Sequence, residues 1–180
     1  MSLPKLVARL VTRPCFRLRT SEIVHGVEIS GSDEFLSRTK EALDLLRPTP
    51  FFSDIQRTIA LITQGKRSGM KASAKKPTFV VGKPTWRHSA LWYAGAIAHD
   101  SYHSKLYHEV RAITGKQPPA DCWTGSDAEK KCLAFQIEVL QSLHADENTV
   151  AYLKKLEKNP NYQGHNHGWR SQWNYWKRRW

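Results

Sequence analysis

The stretch from Ser89 to Gly115 constrains this chain more than any other. Ala90, Leu91, Ala94, Ile97, Ala98, Leu106 and Val110 recur at helical spacing, Ser89 stands where a helix cap belongs, and Gly115, Pro118 and Pro119 mark a loop beyond. A helix running from Ala90 through Val110 needs burial to hold it. Gly95 says where that burial is tightest, because glycine inside a helix costs about 1 kcal/mol relative to alanine. Close approach of a second element over Gly95 is the expected reason for it.

Around this helix the chain reads as mixed but helix-dominated. Ile23 to Ile29 alternates and ends at Gly31, as a short strand does. Ser32 caps a helix with Phe35, Leu36, Thr39, Ala42, Leu43 and Leu46 on one face, stopped by Pro48. A second helix is expected over Ser53 to Gln64, burying Ile55, Ile59 and Ile62 and ending at Gly65. Residues 65 to 77 contain Lys66, Arg67, Lys71, Lys75 and Lys76 among glycine and serine and read as a mobile loop. Thr78 to Val81 is a short strand able to pair with an earlier one. Beyond the central helix, Ser126 opens another with Leu133, Ile137, Leu140 and Leu143 on its apolar side. A last helix covers Asn148 to Leu156, broken by Asn159-Pro160-Asn161. No internal repeat is visible. The class is α+β with helix dominant. The expected organisation is a basic segment over 1–22, a single domain over 23–157 and a basic Trp-rich tail over 158–180.

Histidines 99 and 103 lie four residues apart on the central helix. Side chains at that spacing stand one above the other, with Cβ atoms about 5–6 Å apart, so two imidazoles can grip one zinc ion. His108 cannot join them, since nine residues turn a helix through roughly 180°. Asp100 follows the first histidine and projects beside the place a metal-bound water would take, where a carboxylate can act as general base. The other reading of the pair is structural. Its small apolar surroundings (Ala94, Gly95, Ala96, Ile97, Ala98) argue against histidines that are merely solvated.

The run Tyr93-Ala-Gly-Ala-Ile-Ala-His-Asp-Ser-Tyr-His103 resembles the H-E-x-x-H zinc metallopeptidases, the zincins. A strand before that helix and a second helix carrying Ala128-Glu129 after it are similar to the gluzincin order. The resemblance spans roughly residues 78 to 144. It implies a zincin-like fold with a short sheet, one zinc ion, His99 and His103 as ligands, Asp100 in the base position and Glu129 as third ligand. The departure is Asp100, where the family has glutamate; a side chain one methylene shorter reaches less far toward the water. Glu129 has a competing reading, because Ser126-Asp-Ala-Glu129 fits a helix capping box that would fold the carboxylate back onto the backbone. Asp127 and Glu138 are the substitute ligands. Gln136, seven residues on from Glu129, either supports the metal ligands or is a buried hydrogen-bonding side chain. Tyr102 and Tyr107 are either oxyanion donors in the transition state or plain surface aromatics, and Trp86, Trp92 and Tyr93 read as core packing.

Charge and cysteine usage add a second theme. The chain has 28 Lys/Arg against 16 Asp/Glu, a net +12, a field that attracts nucleic acid, anionic membrane or acidic protein without choosing among them. The excess sits at the ends: Lys5, Arg9, Arg13, Arg17 and Arg19 are accompanied by no acid, and no acid follows Glu157. The first residues read as a basic helix followed by an edge strand at Cys15 to Leu18, with a transit-like segment as the alternative; they lack the apolar run of a secretory signal. No apolar run approaches the roughly 18 residues of a membrane span. Cys15, Cys122 and Cys132 are odd in number and form no Cys-x-x-Cys pair, which argues against a cysteine zinc site. His165-Asn166-His167 resembles a fragment of a metal-nuclease motif or is a solvated loop. Trp169, Trp173, Trp176 and Trp180, with Arg170 and Lys177 to Arg179 between them, form one helical stripe. That stripe either docks on the domain or serves as an interface for a membrane, partner or single-stranded nucleic acid.

Two main functions follow. One is a zinc-dependent metallopeptidase-like hydrolase acting on a peptide or protein. The other is a non-catalytic zincin-like protein whose basic, Trp-rich ends hold an anionic partner. A nucleic-acid-binding domain with structural histidines is the third.

Overall fold

The structure, a computed structural model, describes residues 20–159. The basic N-terminal stretch with its expected strand at Cys15 to Leu18, the His165–His167 turn, and the stripe of Trp169, Arg170, Trp173, Trp176 and Trp180 lie outside the described residues.

A hairpin opens the fold. Strands β1 (Thr20–Val24) and β2 (Val27–Gly31) pair antiparallel, with Val24 opposite Val27. The expected single strand over Ile23 to Ile29 is therefore two. His25 and Gly26 both adopt positive φ (48° and 81°), the two-residue turn whose twist suits a tight hairpin. Ser32 then caps α1 (Asp33–Leu46), its hydroxyl accepting from the Phe35 N–H. All six residues of the expected apolar face are buried.

The next segment departs from its helical pattern. Helix α2 (Phe52–Thr58) stops early, Ile59 turns extended (φ −123°, ψ 117°), and Leu61–Gly65 becomes strand β3. β3 pairs parallel with β2 on one side and with β5 (Thr78–Gly82) on the other. Those two ladders satisfy more backbone polar groups than a last helical turn would, and Ile55, Ile59 and Ile62 are buried all the same. The expected loop over 65–77 contains a further strand, β4 (Gly69–Lys71), antiparallel to β5. The sheet runs β1-β2-β3-β5-β4, parallel in the middle and antiparallel at both edges.

After the short α3 (Lys83–Trp86), α4 (Ala90–Thr114) crosses the molecule as its central helix. Ser89 caps it, accepting from the Trp92 N–H, and Gly115 ends it in the left-handed conformation (φ 65°). Its burial extends around several faces, because it touches α1, α2, the sheet and the C-terminal helices. Tyr93 is fully buried with its hydroxyl 2.9 Å from Thr39 Oγ1, which in turn donates to the Phe35 carbonyl. One core joins α1, the sheet and the first half of α4. Trp86 and Tyr93 belong to it as expected, whereas Trp92 is only half-buried. The short α5 (Asp121–Thr124) leads into α6 (Ser126–Ser142), and α7 (Glu147–Glu157) packs on α6 through Leu153. Gly95 faces Leu140 of α6, and a β-carbon there would stand 2.9 Å from Leu140 Cδ1. The close approach expected at that glycine is the crossing of α4 and α6. The architecture is α+β, helix-rich, with a five-stranded mixed sheet. Among the described residues no helix is long and apolar enough to cross a membrane.

Candidate metal centre

Past the Gly95 crossing, α4 and α6 bring three side chains to one point. His99 and His103 stand a turn apart on α4 with their Nε2 atoms 3.2 Å apart. Glu129, in the first turns of α6, sets Oε1 3.3 Å from His103 Nε2 and Oε2 3.3 Å from His99 Nε2. Its side chain is 7% exposed. The capping-box alternative fails here, because Gly125 is the cap residue of α6, with no side-chain cap bond, and Ser126 already belongs to the first turn. Glu129 is left free to face the histidines. Asp127 and Glu138, the substitute ligands, point to solvent.

Each carboxylate oxygen thus stands 3.3 Å from a different imidazole, and these spacings are close to those between the ligands of a metal site. Ligand atoms about 2.0–2.1 Å from a tetrahedral ion stand about 3.3–3.4 Å from one another. Two of these side chains also hold buried polar atoms with no hydrogen-bond partner, His99 Nδ1 and Glu129 Oε2. Buried polar atoms are seldom left so, and a carboxylate whose two oxygens face two imidazoles fits a cation shared among them. The second ring is oriented from outside: His103 Nδ1 donates to the Trp123 carbonyl of α5 at 2.5 Å, which leaves Nε2 as the atom available for coordination.

Electrostatics follow from this contact. Burial is the largest influence on Glu129 and opposes its charge, yet His103 and His99 together outweigh it and lower its pKa to about 2. For His103 burial likewise works against the charged form, and Cys132 and Glu129 overcome it, so its pKa is raised. Without a cation, the cluster is an ion pair. Asp100 lies half-buried at the edge of the same site, and its pKa is raised to about 6, chiefly by burial and against the pull of His99 and His103.

The site opens into a cavity of about 330 Å³. Ser68, Gly69 and Met70 form one wall, at and just before edge strand β4, opposite Leu153 and Leu156 of α7. Asp100 and Gln136 both line it. Gln136 is buried and thus shares the face of Glu129 that the seven-residue spacing gives it. Tyr102 does not line the cavity; its ring packs on Phe135 (centroids 5.0 Å apart) beneath Lys105, so the transition-state role gives way to aromatic packing. Tyr107 is buried against Trp123, a core residue instead of a donor or surface aromatic. His108 lies outside the cavity, with its pKa lowered chiefly by burial.

Cys132 is the residue that sequence reasoning missed. It follows Glu129 by three residues on α6, and its sulfur and the His99 and His103 ring nitrogens lie within 4.8 Å of one another. A site of this kind needs no Cys-x-x-Cys pair, because a single cysteine reaches it through the helix face it shares with Glu129. The Trp123 carbonyl carries no side-chain signal at all. The chain matches no protein-family model, no curated protein and no solved structure.

Proposed function

We propose that the protein is a zinc-dependent hydrolase of metallopeptidase type, with His99, His103 and Glu129 as the protein ligands of one ion. The single observation that carries this reading is the convergence of two imidazoles 3.2 Å apart and a carboxylate with one oxygen 3.3 Å from each, assembled from two helices and opening into a cavity. Three protein ligands are the composition of catalytic zinc sites, which keep one position open. When bound, zinc would supply Lewis acidity toward a carbonyl and an acidified water. The chain's own residues do the remainder. Asp100, beside His99, takes a proton from water at the cavity wall. The Trp123 carbonyl keeps the His103 ring in one tautomer. Edge strand β4 has one side unpaired among the described residues and borders the cavity, so an extended peptide can add to it through backbone hydrogen bonds. That edge favours a peptide or protein substrate. The likeness to the gluzincin order belongs to this proposal, with Asp100 as its shorter base.

A second reading is supported by the charge distribution. The acid-free ends of a +12 chain suit an anionic partner, such as nucleic acid, membrane or acidic protein, with the zincin-like body non-catalytic. Metal content and turnover separate the readings. Full-length protein purified without metal-affinity chromatography is expected to hold about one zinc per chain, to lose it in His103→Ala and to keep it in His108→Ala. Equal loss in both variants, or no zinc in the wild type, sinks the site. A wild type that binds zinc but cleaves no member of a broad peptide library favours the non-catalytic reading.

A further inference from the structure

We infer that Cys132 is a fourth metal ligand, so that the loaded centre rests in a closed His99–His103–Glu129–Cys132 set. The inference deepens the proposed hydrolase and rests on its three-ligand site. Cys132 is a free thiol with no exposed surface, one helical turn beyond Glu129 and on the same face of α6. Its sulfur and both imidazoles already gather within 4.8 Å. At tetrahedral angles, bonds of about 2.3 Å to sulfur and about 2.0–2.1 Å to nitrogen place the two atoms about 3.6 Å apart. The sulfur therefore needs to close by at most about 1.2 Å, a movement that rotation of the cysteine and a small tilt of the rings can supply. A second feature points to a cation independently of the thiol. Glu129 is buried and sets one carboxylate oxygen 3.3 Å from each of the same two rings, with Oε2 making no hydrogen bond beyond its ion-pair contact with His99.

The position of the thiol decides what it does. Cys132 packs with Leu106, Ala128, Tyr102 and Trp123, and it is not among the residues lining the cavity. It thus approaches the ligands from the interior while substrate approaches from the cavity. A metal that accepts the thiolate has four protein ligands, the composition of a structural site, and water gains its place only when the sulfur lets go. A thiolate in the set also selects the ion. It favours zinc or cobalt over magnesium, calcium or manganese, which prefer oxygen.

The experiment uses the full chain loaded with Co²⁺, whose thiolate bond gives an intense near-ultraviolet charge-transfer band. That band is expected in the wild type and in the Cys15→Ser/Cys122→Ser double variant, where Cys132 is the only thiol left. It is expected to vanish in Cys132→Ser, with cobalt affinity weakened at least about tenfold, since loss of a direct ligand should cost no less than the roughly 10–100-fold lost with a supporting residue. If Cys132→Ser does not fold, the double variant decides alone. Cobalt that binds in a His99-dependent way with no thiolate band overturns the inference and leaves the three-ligand hydrolase site standing. A band that survives Cys132→Ser also overturns it. No His99-dependent cobalt at all overturns both.

Discussion

Alanine at position 95 tests whether the crossing of α4 and α6 sets the geometry of the site. A β-carbon there would meet Leu140 at 2.9 Å (Cδ1), 3.0 Å (Cγ) and 3.1 Å (Cδ2), against an ordinary carbon contact of about 3.5–4.0 Å. Leu140 has no exposed surface and cannot swing into solvent. The helices must therefore separate by about half an ångström or more. Such overpacking costs about 1–3 kcal/mol, while replacing a mid-helix glycine returns about 1 kcal/mol. Gly95→Ala should thus destabilise by about 0–2 kcal/mol, or up to roughly 8 °C in Tm for a chain of this size. Leu140→Ala alone leaves a cavity worth about 2–5 kcal/mol. In the double variant the new methyl occupies part of that cavity, so the two losses should fall short of their sum by about 1–2 kcal/mol. Urea denaturation of the four metal-free proteins measures this cycle. Because α4 carries both histidines and α6 carries Glu129, zinc affinity of Gly95→Ala should also fall, by about 10–100-fold as for changes that misplace ligands. Additivity within about 0.5 kcal/mol, or a Gly95→Ala variant stabilised by the full propensity gain, would refute the reasoning.

Three further outcomes are expected. Asp100→Asn should keep zinc and lose hydrolysis by about 10²–10⁴-fold in kcat, since it removes a proton acceptor without touching a ligand; loss of zinc in that variant makes Asp100 part of the metal's support. In the metal-free protein, Glu129 has a lowered pKa and so stabilises above its ordinary 4.5, an effect lost as pH falls toward about 2. His103 has a raised pKa and stabilises fully below its ordinary 6.5, an effect lost as pH rises through its folded value; the Tm gap between wild type and Glu129→Gln should therefore be widest between pH 4.5 and 6.5, and a flat gap contradicts the ion pair. Deleting residues 165–180 should leave Tm and metal content unchanged while salt-sensitive binding to anionic vesicles or single-stranded nucleic acid falls; a lowered Tm instead makes the tryptophan stripe part of the fold.

What could be read from the sequence was whatever a local rule decides. Ser32 and Ser89 cap helices because a side-chain oxygen next to free N–H groups needs no distant partner, and both act as expected. Gly95 revealed a tight crossing because its cost demands a local reason. The misreadings fall where distant pairing decides. Ile55, Ile59 and Ile62 fit a helix face and are buried, but strands on both sides draw Leu61–Gly65 into the sheet. Gly69-Met70-Lys71 has no alternating pattern, and β5 alone makes it a strand. His25-Gly26 does carry a signal, since a two-residue turn ending in glycine between alternating runs marks a hairpin, but the alternation from Ile23 to Ile29 hides it.

The site divides along the same line. His99 and His103 were legible because one helix fixes their relation, whereas Glu129 depended on where α6 begins. A start at Ser126 as the cap would have turned the carboxylate toward the backbone. The actual cap, Gly125, shifts the helix by one residue and leaves the carboxylate facing both histidines. Gly125 fills that place because the chain approaches itself closely there: a β-carbon would stand 2.7 Å from the Asp121 carbonyl oxygen of α5. The same α5 offers the Trp123 carbonyl to His103. One short helical turn thus orients a histidine and adjoins the glycine that starts the glutamate's helix. Neither contact is encoded in the type of residue that makes it, since both use backbone oxygens. Cys132 then follows from Glu129 by the three-residue spacing of α6, so its place beside the histidines depends on the same helix start.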